Sequence, residues 1–167
     1  MFAPRTRDYI YLIFLLIHIP ATLLVDLQAL FFAKDLAPTA LRKIFEFAAK
    51  DDPLLSNANN YPSFAWFQSF IILEAVFQLP VFFIGARAIW RDQKTLYPLL
   101  SLYGISSATT TWACLFTVLT TPNISHQLPK LLASYVPFLL IPLAMGVDYA
   151  IRLSWLVGER EKERKRE

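Results

Sequence analysis

The chain has 167 residues, 56% of them hydrophobic and only 17% charged. Soluble domains carry about 25% charged residues, so the balance excludes an ordinary water-soluble domain and points to a bilayer. Four glycines leave no phosphate-cradling loop, one cysteine (Cys114) excludes an intrachain disulfide or a Cys-based zinc site, and two histidines (His18 and His126) support no Ser/His/Asp triad. The formal charge of +3 offers no nucleic-acid surface beyond a basic tail. No cofactor, metal or nucleic acid is expected.

A spanning helix needs about 20 mostly apolar residues, and four windows qualify: 9–32, 64–90, 96–119 and 131–157. The expected fold is all-α: a polytopic membrane protein whose residues 1–158 form a four-transmembrane-helix bundle, with a charged cytosolic tail at 159–167. The apolar run from Tyr9 is too long for the core of a cleavable signal, so it is expected to stay as an anchor. It carries His18, Thr22 and Asp26 at i, i+4 and i+8, one polar stripe on an apolar helix. In the following loop Leu41, Ile44, Phe45 and Ala48 fall at i, i+3, i+4 and i+7. That spacing predicts a short amphipathic lumenal helix over 39–50, bounded by Pro38 and Asp51-Asp52-Pro53 and lying across the mouth of the bundle.

The second span carries Glu74 and Gln78 at i, i+4. The third is diluted by Ser106, Ser107, Thr109, Thr110 and Thr111, hydroxyls that bond back to helix carbonyls or across to a neighbour. Pro20, Pro80, Pro98, Pro137 and Pro142 interrupt the spans and are expected to kink them, opening room for an aromatic-lined pocket.

Four spans put both termini on one side. Eleven of the sixteen Lys and Arg lie at the termini and in the second connection, among them Arg5, Arg7, Arg87, Arg91, Lys94 and Arg152. The positive-inside rule then makes the termini cytosolic. Arg164 and Lys165, fourth and third from the end, have the form of a dibasic endoplasmic-reticulum retrieval signal or of a plain basic stop. Asn123-Ile124-Ser125 is a glycosylation sequon too near the membrane to be used.

Asp26 and Glu74 are the anomaly. A carboxylate at the centre of a bilayer costs roughly 2.5–3.5 kcal/mol on insertion scales, so such groups face a bundle interior or a wet cavity. At 1.5 Å per residue Asp26 lies about 10 Å, and Glu74 about 15 Å, from the lumenal ends of their spans. Both therefore fall in the lumenal half, where adjacent helices bring them to one cavity. Out of water the neutral form of a carboxyl is favoured. Glu74, deeper and beside Gln78, is expected to be neutral and to donate a hydrogen bond, and Asp26 to face a ligand cation. The plainer alternative is that both acids are hydrogen-bonded glue between helices.

The blocks HIPATLLVDLQA (18–29), DPLL (52–55), WFQSF (66–70), EAVFQLP (74–80) and YVPFLLIP (135–142) make the chain similar to the EXPERA-domain family, in its sigma-2-receptor and mitochondria-targeting-associated branches. The resemblance runs over nearly the whole chain and fits least well in the third span. It implies an endoplasmic-reticulum receptor-like protein, a homodimer, that binds sterols or cationic amphiphiles in an occluded intramembrane pocket and acts in sterol homeostasis with a cholesterol transporter. By position it makes Asp26 the counter-ion for a ligand amine, with Asp52 hydrogen-bonded to it. Glu74 and Gln78 become buried polar wall, His18 a neighbour, and Thr110 and Tyr135 part of the lining. Phe138 stands where the pattern carries Tyr. The same superfamily holds a sterol isomerase, which gives an enzymatic alternative with Glu74 as proton donor. The expectation is that the chain is not an enzyme, and the other alternative is a factor assisting mitochondrial protein targeting.

Overall fold

The computed structural model describes residues 4–31, 39–60 and 62–166. Those residues are almost wholly helical: α1 (Pro4–Ala21), α2 (Gln28–Phe31), α3 (Thr39–Ala49), α4 (Pro53–Asn57), α5 (Ala65–Leu73), α6 (Leu79–Trp90), α7 (Tyr97–Thr120) and α8 (Leu128–Arg164). Four stretches are long and apolar enough to cross a membrane: Thr6–Asp26, Ala65–Trp90, Lys94–Thr120 and Leu128–Arg164. The chain is an all-α polytopic membrane protein, as its hydropathy predicts. Residue 32, the loop with Lys34, the Pro38 boundary and Glu167 lie outside the described residues.

Only about a third of each span is enclosed by protein. Ile13, Ile17, Val76, Phe83, Trp112 and Phe116 point outward, where a bilayer would cover them. The enclosed residues form two apolar clusters. One, at the end that carries the termini, gathers Leu15, Phe82, Leu100, Tyr103, Met145 and Tyr149; the other, at the opposite end, gathers Ala29, Leu54, Leu55, Phe67, Ile71, Val118 and Leu131.

The most extensive helix pair is α7 with α8. It rests on glycine: a Cβ at Gly104 would lie 2.5 Å from the Gly146 nitrogen and the Pro142 carbonyl oxygen. No side chain fits there, so the two backbones touch, the close approach that small residues give membrane helices. Ser101 Oγ donates across the pair to the Gly146 carbonyl at 2.9 Å. Helix α8, at 37 residues, is about 55 Å long, against a hydrocarbon core of about 30 Å. It therefore carries most of the charged tail onward as helix.

The prolines act differently from one another. Pro98 sits in the first turn of α7, where the missing N–H is no loss, whereas Pro80 starts α6 inside the continuous Ala65–Trp90 span and removes a donor there. Among the described residues Pro20, Pro137 and Pro142 lie in the interior of a single α-helix. Both polar stripes instead sit on wide, π-helical turns, Thr22–Asp26 and Glu74–Gln78. Leu27 N–H reaches back five residues to the Thr22 carbonyl, and Leu79 N–H reaches back five to Glu74. Each turn lies beside a proline that removes a donor from the regular ladder, and such bulges recur at functional sites.

The amphipathic loop helix forms as α3, within a residue of its expected bounds. Phe45, Ala48 and Ala49 pack into the second cluster, whereas Ile44 and Phe47 stay exposed. Asp52 caps the short α4, accepting from the N–H groups of Leu54 (2.8 Å) and Leu55 (3.2 Å), with Pro53 at the first helical position.

Candidate functional site

Between the two apolar clusters lies a cavity of about 340 Å³. His18, Asp26, Asp52, Glu74, Gln78, Thr110 and Tyr135, the seven residues expected at a site, all line it. They come from α1, the α3–α4 loop, the α5–α6 span, α7 and α8. Helix α3 contributes Phe47 and Ala48 to the wall, in keeping with a helix laid across the mouth.

The π-helical turns set the geometry of the acids. Thr22 Oγ1 donates a hydrogen bond to Glu74 Oε1, joining one wide turn to the other. Glu74 thus accepts from Thr22, where the i, i+4 spacing suggested Gln78 as its partner. His18 Nε2 stands 3.8 Å from the same Glu74 oxygen, and His18 Nδ1 lies 3.2 Å from the Tyr103 hydroxyl. The imidazole is stacked on Phe82 at 4.5 Å between centroids and meets the edges of Phe138 (4.7 Å) and Phe14 (5.1 Å). Phe138 therefore serves as an aromatic wall for His18.

Asp52 is the most engaged acid. Beyond its two cap bonds it accepts from the Tyr135 hydroxyl at 2.7 Å, tying the loop before α4 to α8. The bond to Asp26 that the resemblance implied is replaced by these three. Asp26, by contrast, makes no side-chain hydrogen bond to another described residue, and it shares the cavity with the carboxyls of Glu74 and Asp52. Thr110 Oγ1 bonds back to the Ser107 carbonyl at 3.0 Å, so its hydroxyl proton is spoken for and its lone pairs remain.

At the rim, Lys130 Nζ is 2.6 Å from Asp51 Oδ2 and 5.4 Å from the Phe47 ring centroid. That ammonium, chiefly through its hydrogen bond, holds the Asp51 carboxyl below its usual range. Among the described residues no group of His, Cys, Asp and Glu is arranged to hold a metal ion.

Sequence reasoning missed Tyr103 as the partner of His18, and Ser107, Cys114 and Lys130 as lining. Cys114 and Ser107 stand on the turns of α7 flanking Thr110, so the face that Thr110 implied already contained them. The Tyr103–His18 contact joins residues far apart in the chain and has no local signal.

The site resolves into one carboxyl with no side-chain partner among the described residues (Asp26), two that are engaged (Glu74, Asp52), a histidine in an aromatic box and a hydroxyl-bearing wall. Fold and site together define a multi-pass membrane protein with a half-open cavity in its helix bundle, mostly apolar and carrying three acids. The EXPERA (EXPanded EBP superfamily) family model matches residues 38–149, and the chain belongs to that family. It is 31% identical to human sigma intracellular receptor 2, over 99% of this chain and 100% of that protein. The corresponding receptor of Xenopus tropicalis is 30% identical, over 96% of this chain and 97% of its own length. Efficient mitochondria targeting-associated protein 19 of Schizosaccharomyces pombe is 29% identical, over 90% of this chain and 80% of its own. The chain is thus a receptor-like membrane protein of the EBP superfamily.

Proposed function

We propose that the cavity receives a sterol or a cationic amphiphile, with Asp26 as counter-ion to the amine of a charged ligand. The observation that carries this reading is the Asp26 carboxyl, without a side-chain hydrogen-bond partner among the described residues, in a cavity that joins aromatic and aliphatic walls to a polar one. A cationic group beside Asp26 offsets the mutual repulsion of three acids, and a fused-ring or aryl body fits between Phe67, Phe70, Ile71 and Phe138. A volume of about 340 Å³ falls at the lower end of the roughly 300–1,000 Å³ range of small-molecule pockets. His18, Glu74 and Gln78 form the inner polar wall, Thr110 and Tyr135 the sides, and Asp52 holds Tyr135 in place.

In this reading the protein is a non-enzymatic receptor of the endoplasmic-reticulum membrane with cytosolic termini, acting as a homodimer in sterol homeostasis with a cholesterol transporter. The basic residues on the terminal side of the bundle support the orientation. Binding of a labelled cationic amphiphile to the purified protein, with displacement by a sterol and lipid mass spectrometry of what co-purifies, tests the reading. Saturable binding with sterol competition is expected; absence of both would overturn it.

A second reading has its own observation. The Glu74 oxygen that Thr22 holds stands 3.8 Å from His18 Nε2, an acid–base pair facing a cavity in a superfamily that contains a sterol isomerase. Isomerase turnover by the wild type that vanishes in Glu74→Gln would move the protein from receptor to enzyme, because an amide supplies no proton. A third role, in mitochondrial protein targeting, rests on the name of the yeast relative. Defective precursor import with normal sterols in cells lacking the protein would favour it.

A further inference from the structure

A second cavity, of about 950 Å³, opens at the end of the bundle that carries the termini, walled by the start of α1, the end of α6, the turn into α7 and the distal part of α8. Its interior is an ion-pair chain: Arg7 Nη1 to Asp148 at 2.5 Å, Asp148 to Arg152 Nη2 at 2.6 Å, and Arg152 Nη1 to Asp8 at 2.7 Å. Arg7 Nε is enclosed with no hydrogen-bond partner among the described residues. At the rim stand Trp90 and Trp155, each 72% exposed, together with Lys94, Asp92 and Glu159.

Two features identify the ligand class. The first is charge: among the described lining residues three cations (Arg7, Lys94, Arg152) face four carboxylates (Asp8, Asp92, Asp148, Glu159). A site with a slight negative excess disfavours a net anionic headgroup and suits one that carries both signs. The second is position. Trp90 and Trp155 lie where spans two and four end, the level at which indoles meet headgroups. Their faces attract an ammonium group, quaternary ones above all, while Arg and Lys take the phosphate. We propose that this cavity binds the ammonium–phosphate diester of a zwitterionic phospholipid, the ammonium between Trp90 and Trp155 beside the rim acids and the phosphate on Arg7 and Lys94.

The test uses the full-length protein, delipidated in detergent and titrated with phosphatidylcholine or phosphatidylglycerol of matched acyl chains. Native mass spectrometry reads the fraction that keeps one lipid under equal activation. Preferential retention of phosphatidylcholine is expected. The Trp90→Ala/Trp155→Ala double variant is expected to weaken it about tenfold, the scale of two lost cation–π contacts. Lys94→Ala is expected to weaken it about threefold through one exposed phosphate contact. These rim residues are exposed, so circular dichroism of the variants should match wild type. Displacement of the lipid by soluble glycerophosphocholine would show that the headgroup alone is read, and failure of that displacement would assign the source to the bilayer lipid. Equal retention of the two lipids, or wild-type retention by the Trp90→Ala/Lys94→Ala/Trp155→Ala variant, would reduce the site to annular lipid and overturn the proposal.

Discussion

The terminal end of the bundle and its central cavity treat their acids in opposite ways. At the terminal end Asp8 and Asp148 are closed into a chain with Arg7 and Arg152, and Arg152 also lies 4.9 Å from the centre of the Tyr149 ring. In the central cavity Glu74 has a threonine, Asp52 has a tyrosine and two backbone amides, and Asp26 has no side-chain partner among the described residues. Acids with guanidinium partners lock α1 to α8. Acids left with neutral partners, or with no side-chain partner among the described residues, line the cavity instead. The contrast separates charge that ties helices together from charge that faces a cavity within one fold.

Substitutions at each end break or sharpen that contrast. The largest effect is expected on ligand binding at Asp26. Asp26→Asn should abolish binding of a cationic amphiphile, a loss of about 3–5 kcal/mol for a desolvated ammonium left without its partner, while a neutral sterol still binds and the melting temperature holds. Equal loss for charged and neutral ligands in a binding assay would return Asp26 to the role of interhelical glue. Arg152→Ala should do the reverse. It leaves Asp8 without a cation and Asp148 with Arg7 alone, costs about 3 kcal/mol of stability in a detergent melt, and spares affinity at the central cavity in the molecules that remain folded.

Glu74→Gln keeps the oxygen that Thr22 reaches, so it should change stability by less than about 1 kcal/mol, whereas Glu74→Ala orphans Thr22 and should cost about 2 kcal/mol. A smaller effect belongs to the rim. Asp51 has its carboxyl held below the usual range by Lys130, so the latch is intact at and above that range and is lost as pH falls through the lowered value. The pair is solvent-exposed, so Lys130→Ala should leave the melting temperature unchanged and accelerate ligand release. Acid pH should accelerate release in the wild type and add nothing in the variant, which dissociation kinetics would read.

The spans and α3 were legible because hydropathy and the 3.6-residue period are local properties. Asp51-Asp52-Pro53 was legible as the end of α3, but the short α4 that Asp52 caps was not read from it. Asp26 and Glu74 stood out as acids in apolar runs, and the structure brings them into one cavity. Their partners were not legible. The Thr22–Glu74 bond depends on two wide turns whose extra residue shifts the register of each stripe, and no spacing rule that assumes a regular helix finds it. Asp148 is the instructive omission. It is as anomalous in the fourth span as Asp26 is in the first, and Arg152 at i+4 was the available signal. Arg152 was read only as a charge that orients the chain, when it is also the hub that joins α1 to α8. The hydrogen bond from Tyr135 to Asp52 spans 83 residues, and only the folded chain reveals it.

The backbone contact at Gly104 and Gly146 also determines which part of the cavity can yield. Two chains in direct contact can neither slide nor part without losing the whole interface, so α7 and α8 behave as one fixed leaf. The opposite leaf is α3, held by Phe45, Ala48, Ala49 and the neighbouring Asp51–Lys130 pair. The guest proposed above would then have its way in on the α3 side, past Phe47 and Lys130, rather than between α7 and α8.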